Sequence, residues 1–239
     1  MDFYERGLQK HRAHVRRRRI LAAAAGTVVL ALSARRWIDD EATANAKREQ
    51  RQDGRPRLPA GQRVLSKLRP MGGTAGDSRP NHLRLRISGD VDTPTTLTMR
   101  ELLQLEQIST EVDVHCVTGW SVMGAAVRGV SIETIRRLVG VSSRAKHVIF
   151  EGAAGYTANV PLAALQGPKN ILAYRLDGVP LARENGAPLR AIVPDLYFWK
   201  SAKWLTGLRF VVKDRPGYWE KRGYHNRADP WKEQRHALF

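Results

Sequence analysis

Apolar positions along this chain recur mostly at every second residue, in short runs. Leu83, Leu85 and Ile87 alternate with Arg84, Arg86 and Ser88, which predicts a half-buried strand closed by Gly89-Asp90. Val112, Val114 and Cys116 alternate on a second strand. Val148 to Phe150, Ile171 to Leu176, Leu189 to Val193 and Leu208 to Val212 are further strand-like runs. Pro161, Gly167-Pro168 and the tight turn Asp177-Gly178 separate them. Helical signals are sparse. Thr98-Met99-Arg100-Glu101 has the spacing of a capping box and opens a short helix through Gln107. Many short strands and few helices predict an α+β domain of mixed β-sheets and short helices.

The N-terminal quarter follows another pattern. Arg16 to Arg19 precede Ile20 to Ala34, an apolar stretch of 15 residues. That is shorter than the roughly 20 residues of a membrane-spanning helix and matches the apolar region of a signal peptide. Arg17-Arg18-Arg19-Ile20-Leu21 also fits, loosely, the twin-arginine pattern of export in the folded state. Residues 1–38 therefore read as a basic N-terminus with a short signal or anchor segment, giving an exported or membrane-anchored protein. The alternative is a cytoplasmic protein with an Ala-rich helical extension. Residues 39–63 are polar and carry Gly54, Pro56, Pro59 and Gly61, the composition of a linker. Residues 64–239 then form the folded domain.

Charge narrows the partners. The net charge is +17, with 15 Lys/Arg against 7 Asp/Glu in residues 1–63 and 25 against 16 in residues 64–239. A basic body attracts nucleic acid, anionic lipid, or a small phosphorylated or oxyanionic molecule. No nucleic-acid motif is present, and the aromatics gather in Trp-Lys and Tyr-Trp clusters rather than a spaced stacking series, so no nucleic-acid partner is expected. The single cysteine rules out an internal disulfide and any Cys-cluster metal site.

Taken alone, Cys116 on an apolar strand is a small buried hydrophobe before it is a ligand. Its neighbour His115 points to the other strand face and reads as a hydrogen-bonded structural residue. Context alters the balance. Asp113-Val114-His115-Cys116-Val117-Thr118-Gly119-Trp120 ends a strand in a Thr-Gly turn, presenting the sulfur at a strand end. Further on come Glu184-Asn185-Gly186-Ala187-Pro188-Leu189-Arg190, Val193-Pro194, and Trp199-Lys200-Ser201-Ala202-Lys203-Trp204.

These segments resemble the molybdopterin-binding domain of sulfite oxidases, plant nitrate reductases and bacterial methionine-sulfoxide reductases, nearest the small single-domain bacterial branch. Arg57 to Gln62, Leu172-Ala173-Tyr174 and Tyr218 to His225 extend the likeness over most of residues 57–239. The resemblance implies a sulfite-oxidase-like fold and a molybdenum cofactor, with Cys116 as catalytic metal ligand. It also implies that Asn185, Arg190, Lys200, Ser201, Ala202 and Lys203 hold the pterin and its phosphate, with a weaker contact at Gly152. The chemistry agrees: a thiolate suits a soft metal, and guanidinium and ammonium groups suit a phosphate. The implied reaction moves an oxygen atom to or from a small substrate, a sulfite-like oxyanion or a sulfoxide. Relatives carrying a haem domain are longer, so no haem is expected in this chain, and electrons pass to a separate partner such as a membrane cytochrome. The pterin-binding Asn and Tyr-Glu of the methionine-sulfoxide reductases find no counterpart near Leu65 to Gly76. Arg128, Arg175 and Arg183 are candidates for gripping an oxyanion. The rival functions are an inactive cofactor-binding module and a basic nucleic-acid or membrane-binding protein.

Overall fold

The structure, a computed structural model, describes residues 37–237. The basic run and apolar segment of residues 1–36 lie outside the described residues. Among the described residues no helix is long and apolar enough to cross a membrane.

Two mixed sheets form the domain. The first is organised around the longest strand, β5 (Trp120–Ser131). Antiparallel β4 (Gln107–His115) runs the length of β5. Short β1 (Arg63–Val64) lies parallel to its first residues, and β8 (Ile171–Leu176) pairs with its last. β10 (Arg190–Ile192) and β9 (Val179–Pro180) pair with β8. The second sheet runs β3 (Thr95–Leu97), β2 (Leu85–Gly89), β11 (Leu205–Val211), β6 (His147–Gly152), β7 (Thr157–Pro161), with only β2–β11 parallel. Both sheets thus mix parallel and antiparallel pairs, as the α+β expectation requires.

The first sheet has a core on each face, because side chains alternate along its strands. Val130, Leu172 and Ala191 face the main core, shared with Leu85, Ile87, Val148, Phe150, Leu208 and Phe210 of the second sheet. Val112, Val114, Val127, Ala173 and Ile192 face the other way, into a smaller cluster that includes Cys116 and Trp120. Arg190, two residues from Ile192, shares that second face.

Helices are few. α2 (Met99–Gln104) opens on the expected capping box: Thr98 Oγ1 accepts from the Glu101 N–H, and the Glu101 carboxylate accepts from the Thr98 N–H. It stops at Gln104, three residues before the expected end, and Gln107 already begins β4. α3 (Ile132–Val139) follows β5 directly, capped by Ser131 and closed by Gly140 in the left-handed region.

The expected linker, residues 39–63, is folded structure. A helix, α1, covers residues 37–48. Its segment Glu41 to Arg48 is rich in Ala and free of Gly and Pro, which favours helix despite its polarity. Ala46 buries against Leu58 and Val64, and Thr43 Oγ1 accepts the Val64 N–H. Arg51 and Arg55 lie over the Trp231 ring, at 4.6 and 4.1 Å, joining this stretch to the C-terminal segment. The packed unit therefore starts well before residue 64.

Candidate active site

The turn between β4 and β5 carries the only thiol. The Cys116 N–H donates to the Trp120 carbonyl at 2.8 Å, and the Gly119 N–H donates back to the Cys116 carbonyl at 3.0 Å. Gly119 supplies the positive φ of 84° that this tight reversal needs. The sulfur is held at the strand end, mostly buried, with Thr118 Oγ1 3.2 Å away. His115 is fully buried on the opposite side, and its Nδ1 meets Ser121 Oγ at 2.8 Å. Burial lowers its pKa to about 4, so it is neutral at physiological pH.

A second group of residues is brought together by the turns 183–190 and 200–204. Arg190 is buried, and all its hydrogen bonds go to carbonyls: Asn185 O at 2.9 Å, Ser201 O at 3.0 Å and Ala191 O at 3.3 Å. No carboxylate faces it among the described residues, and burial pushes its pKa down. Lys203 is treated similarly. Its Nζ donates to Met71 O, Gly72 O and Glu184 O at 2.6, 2.8 and 3.1 Å. Burial, and then repulsion from Arg190, lowers it to about 8, only partly offset by the Glu184 carboxylate. Trp204 Nε1 donates to Arg183 O at 2.7 Å and locks the two turns together.

The thiol's turn and the Arg190 guanidinium share one apolar wall. The Trp120 ring meets Phe198 edge-on at 6.3 Å, and the Arg190 guanidinium lies 4.2 Å from the same Phe198 ring. Arg190, buried and hydrogen-bonded only to neutral carbonyls among the described residues, is a costly arrangement without an anion, and half-buried Lys203 adds a second cation. Their chemistry suits a phosphate. The residues present therefore fit a cofactor with an anionic tail and a soft metal at its other end. Among the described residues no three of His, Cys, Asp or Glu gather in a metal-binding group, so such a metal would take its other ligands from the cofactor.

Not every expected residue joins this cradle. Lys200 does not: its side chain is fully buried, its Nζ donates to Asn159 O, Asn159 Oδ1 and Asn226 O, and it pairs with Glu220 at 2.5 Å. With its donors taken by the protein, Lys200 is an internal cross-link rather than a cofactor ligand. Ser201 serves through Arg190, since its carbonyl anchors the guanidinium and its Oγ accepts the Val193 N–H at 2.9 Å. Ala202 has both backbone groups engaged, with Lys200 O and the Ala191 N–H, and shapes the cradle without a free polar atom. Gly152 is required by packing: a Cβ there would sit 2.7 Å from the Lys203 carbonyl.

Arg128 and Arg175 face one another across β5 and β8. Arg128 lies near the far end of β5 from Trp120, at most about 26 Å along the strand at about 3.3 Å per residue, and so away from the turn that carries Cys116. Arg183 alone of the three lies beside the cradle. Sequence reasoning missed the segment around Met71 and Gly72, whose carbonyls hold Lys203, and the Phe198–Trp120 wall. Only backbone carbonyls and ring packing reveal them, and neither leaves a motif.

A strand-end thiol beside a cradle of buried cations, on two mixed sheets, defines a domain built to hold an anionic, metal-bearing cofactor. The chain belongs to the oxidoreductase molybdopterin binding domain family, whose model matches residues 72–219. It is a molybdopterin-binding oxidoreductase of the sulfite-oxidase-like group. Over 151 residues it is 42% identical to the uncharacterized oxidoreductase YuiH of Bacillus subtilis, covering 63% of this chain and 76% of that one. It is 33% identical over 147 residues to the protein-methionine-sulfoxide reductase catalytic subunit MsrP of Xanthomonas campestris, covering 54% of this chain and 45% of the relative. Over 87 residues it is 39% identical to mitochondrial sulfite oxidase of Drosophila melanogaster, a match spanning 33% of this chain and 15% of that protein. The fold is that of the sulfane dehydrogenase SoxCD of Paracoccus pantotrophus, with a TM-score of 0.54 at 21% identity over 62% of this chain and 42% of that one.

Proposed function

We propose that this protein transfers an oxygen atom to or from a small sulfite-like oxyanion or sulfoxide, and exchanges electrons with a separate partner. The observation that carries this reading is Arg190, buried against Phe198 with three carbonyl partners and no carboxylate among the described residues. Such a guanidinium is explained by a bound anion, here the phosphate of the pterin, with Lys203 as the second cation. Asn185 lies in the same turn, its carbonyl already bonded to Arg190 and its amide suited to a pterin edge. Cys116 would supply the protein's thiolate to molybdenum, with Thr118 Oγ1 able to donate to that sulfur. When bound, the cofactor supplies the redox change and the site of oxygen exchange. The chain's residues hold its phosphate, fix its thiolate ligand and exclude water with Trp120 and Phe198. The relatives named as sulfite oxidase and methionine-sulfoxide reductase support the substrate class. A relative named a catalytic subunit supports a separate electron partner.

The test is full-length protein from a molybdenum-replete host, assayed for molybdenum and pterin, then for turnover of sulfite and of methionine sulfoxide with an artificial electron carrier. Bound molybdenum with turnover of one of them is expected. Protein that stays metal-free and inert on both would contradict the reading. Export or anchoring through Arg16 to Ala34 is part of the same proposal, because a cofactor site that exists only in the folded chain demands folded transport. Replacing Arg17 and Arg18 by Lys should retain folded, metal-loaded protein in the cytoplasm. An unchanged distribution on fractionation would refute it.

A further inference from the structure

The Cys116–Gly119 turn is held by two segments remote from it in sequence. The carbonyls of Cys116, Val117 and Gly119 each have a partner in residues 62–63 or at Arg235. Gln62 Nε2 donates to Cys116 O at 3.1 Å. The backbone N–H of Arg63 donates to Gly119 O at 3.0 Å. The Arg235 guanidinium donates through Nη1 to Val117 O. Gln62 is itself buried, and its Oε1 accepts from Ser121 Oγ at 3.1 Å, the same hydroxyl that meets His115. The two segments also touch: a Cβ on Gly61 would lie 3.1 Å from Arg235 Nη2 and 3.0 Å from Glu233 Oε1. A turn of four residues with one internal backbone hydrogen bond has little rigidity of its own. Here the carbonyls at and directly after the cysteine are tied, by an amide in the N-terminal segment and a guanidinium in the C-terminal one.

We propose that Gln62 and Arg235 are positioning residues for Cys116, fixing the carbonyls at and after the cysteine so that Sγ points in one direction. This rests on Cys116 being the metal ligand, and geometry at a ligand is set as much by what holds it as by the ligand itself. Because the chain has one cysteine, its thiol reports the turn directly.

The experiment measures the labelling rate of Cys116 by a maleimide in full-length apo protein, and molybdenum content and charge-transfer absorption in protein from a molybdenum-replete host. Gln62→Ala should label about fivefold faster than the parent and Arg235→Ala about thirtyfold faster, the worth of one neutral and one charged hydrogen bond. Arg235→Lys, which keeps a donor, should recover most of the slow rate. Gln62→Glu keeps the shape and loses the donor, and serves if the alanine variant does not fold. Thr98→Ala removes the α2 cap in the other sheet and lowers overall stability without touching the turn; its labelling rate should match the parent. In holoprotein, the Gln62 and Arg235 variants should keep the metal and shift the charge-transfer band. Parent-like labelling in both alanine variants would overturn the proposal, as would Thr98→Ala accelerating labelling equally. Metal-free parent protein with accelerated labelling in the variants would leave the positioning role standing and remove the molybdenum reading alone.

Discussion

The Arg190 guanidinium lies 4.2 Å from the centre of the Phe198 ring, whose other neighbour is Trp120, the residue that closes the Cys116 turn. Two aromatic rings, Phe198 and Trp120, thus link the buried cation to the turn that carries the thiol. A charge placed there is stabilised by the ring face and by three carbonyls, and by no formal negative charge among the described residues. It is the part of the fold that makes least sense without a ligand.

Removing that charge should therefore spare the fold and cost the cofactor. Arg190→Met keeps the apolar packing on Phe198 and relieves a buried charge. The apo variant should melt no lower than the parent. Cofactor affinity should fall by one to two decades, the equivalent of about 1.5–3 kcal/mol for a lost charge-assisted contact. Pterin content by fluorescence after dialysis is the readout. Equal content in both proteins would place the phosphate elsewhere.

Lys203 makes the binding pH-dependent. Its pKa stands at about 8 in the folded apo protein, against roughly 10.4 in an unfolded chain. Between those values the unfolded chain holds the extra proton, so apo stability rises with pH across that window. Anion binding works in the opposite sense. A phosphate raises the lysine's pKa and draws a proton in, so affinity is highest below pH 8 and declines as pH climbs from 8 toward 10. Cofactor retention on dialysis at pH 7 and pH 9.5 should differ in the parent. Lys203→Arg stays charged at both values, and its retention should be flat. A parent as retentive at the higher pH would exclude Lys203 from the phosphate site.

Lys200 should behave oppositely. Its ion pair with Glu220, at 2.5 Å with both side chains almost wholly buried, is internal to the protein. Burial pushes Lys200 down and Glu220 draws it back up. Glu220→Gln strands the charge, and loss of one partner of a buried pair costs about 3–5 kcal/mol. Denaturant melts should show that loss, while cofactor per folded molecule stays at the parent's level. A selective loss of cofactor with unchanged stability would return Lys200 to the binding site.

How much of this was legible in the sequence depends on where the signal lies. Strands with clean alternation or compact apolar runs, such as Leu85–Gly89 and Ile171–Leu176, were readable, and so was the capping box at Thr98. β5, the strand on which the first sheet is built, was not. It is interrupted by Gly124 and Gly129 and buried on both faces at each end, so its period of two is confined to Ala125–Gly129, where Ala126 and Gly129 blur it in the sequence. α3 follows it without a loop, and its eight residues are too few for helical periodicity to stand out. At the site, the Cys116 turn and Arg190 carried recognisable local patterns. Lys200 and Lys203 sit three residues apart in one short run, and only the fold shows that one points into Glu220 and the other onto the Met71, Gly72 and Glu184 carbonyls. Gln62 was visible as part of a similar segment, and its bond to the Cys116 carbonyl only in three dimensions.

The central claim is that Cys116 is the chain's own ligand to molybdenum. X-ray absorption at the molybdenum edge, on full-length parent and Cys116→Ser protein prepared alike, tests it most directly. The fold should tolerate the change, since Cys116 and Ser differ by one atom and the turn is held through backbone carbonyls. The account predicts that both proteins keep the pterin and that the variant's metal shows one sulfur neighbour fewer and one oxygen neighbour more, with turnover lost. An identical sulfur shell in the two proteins, with turnover retained, would contradict it.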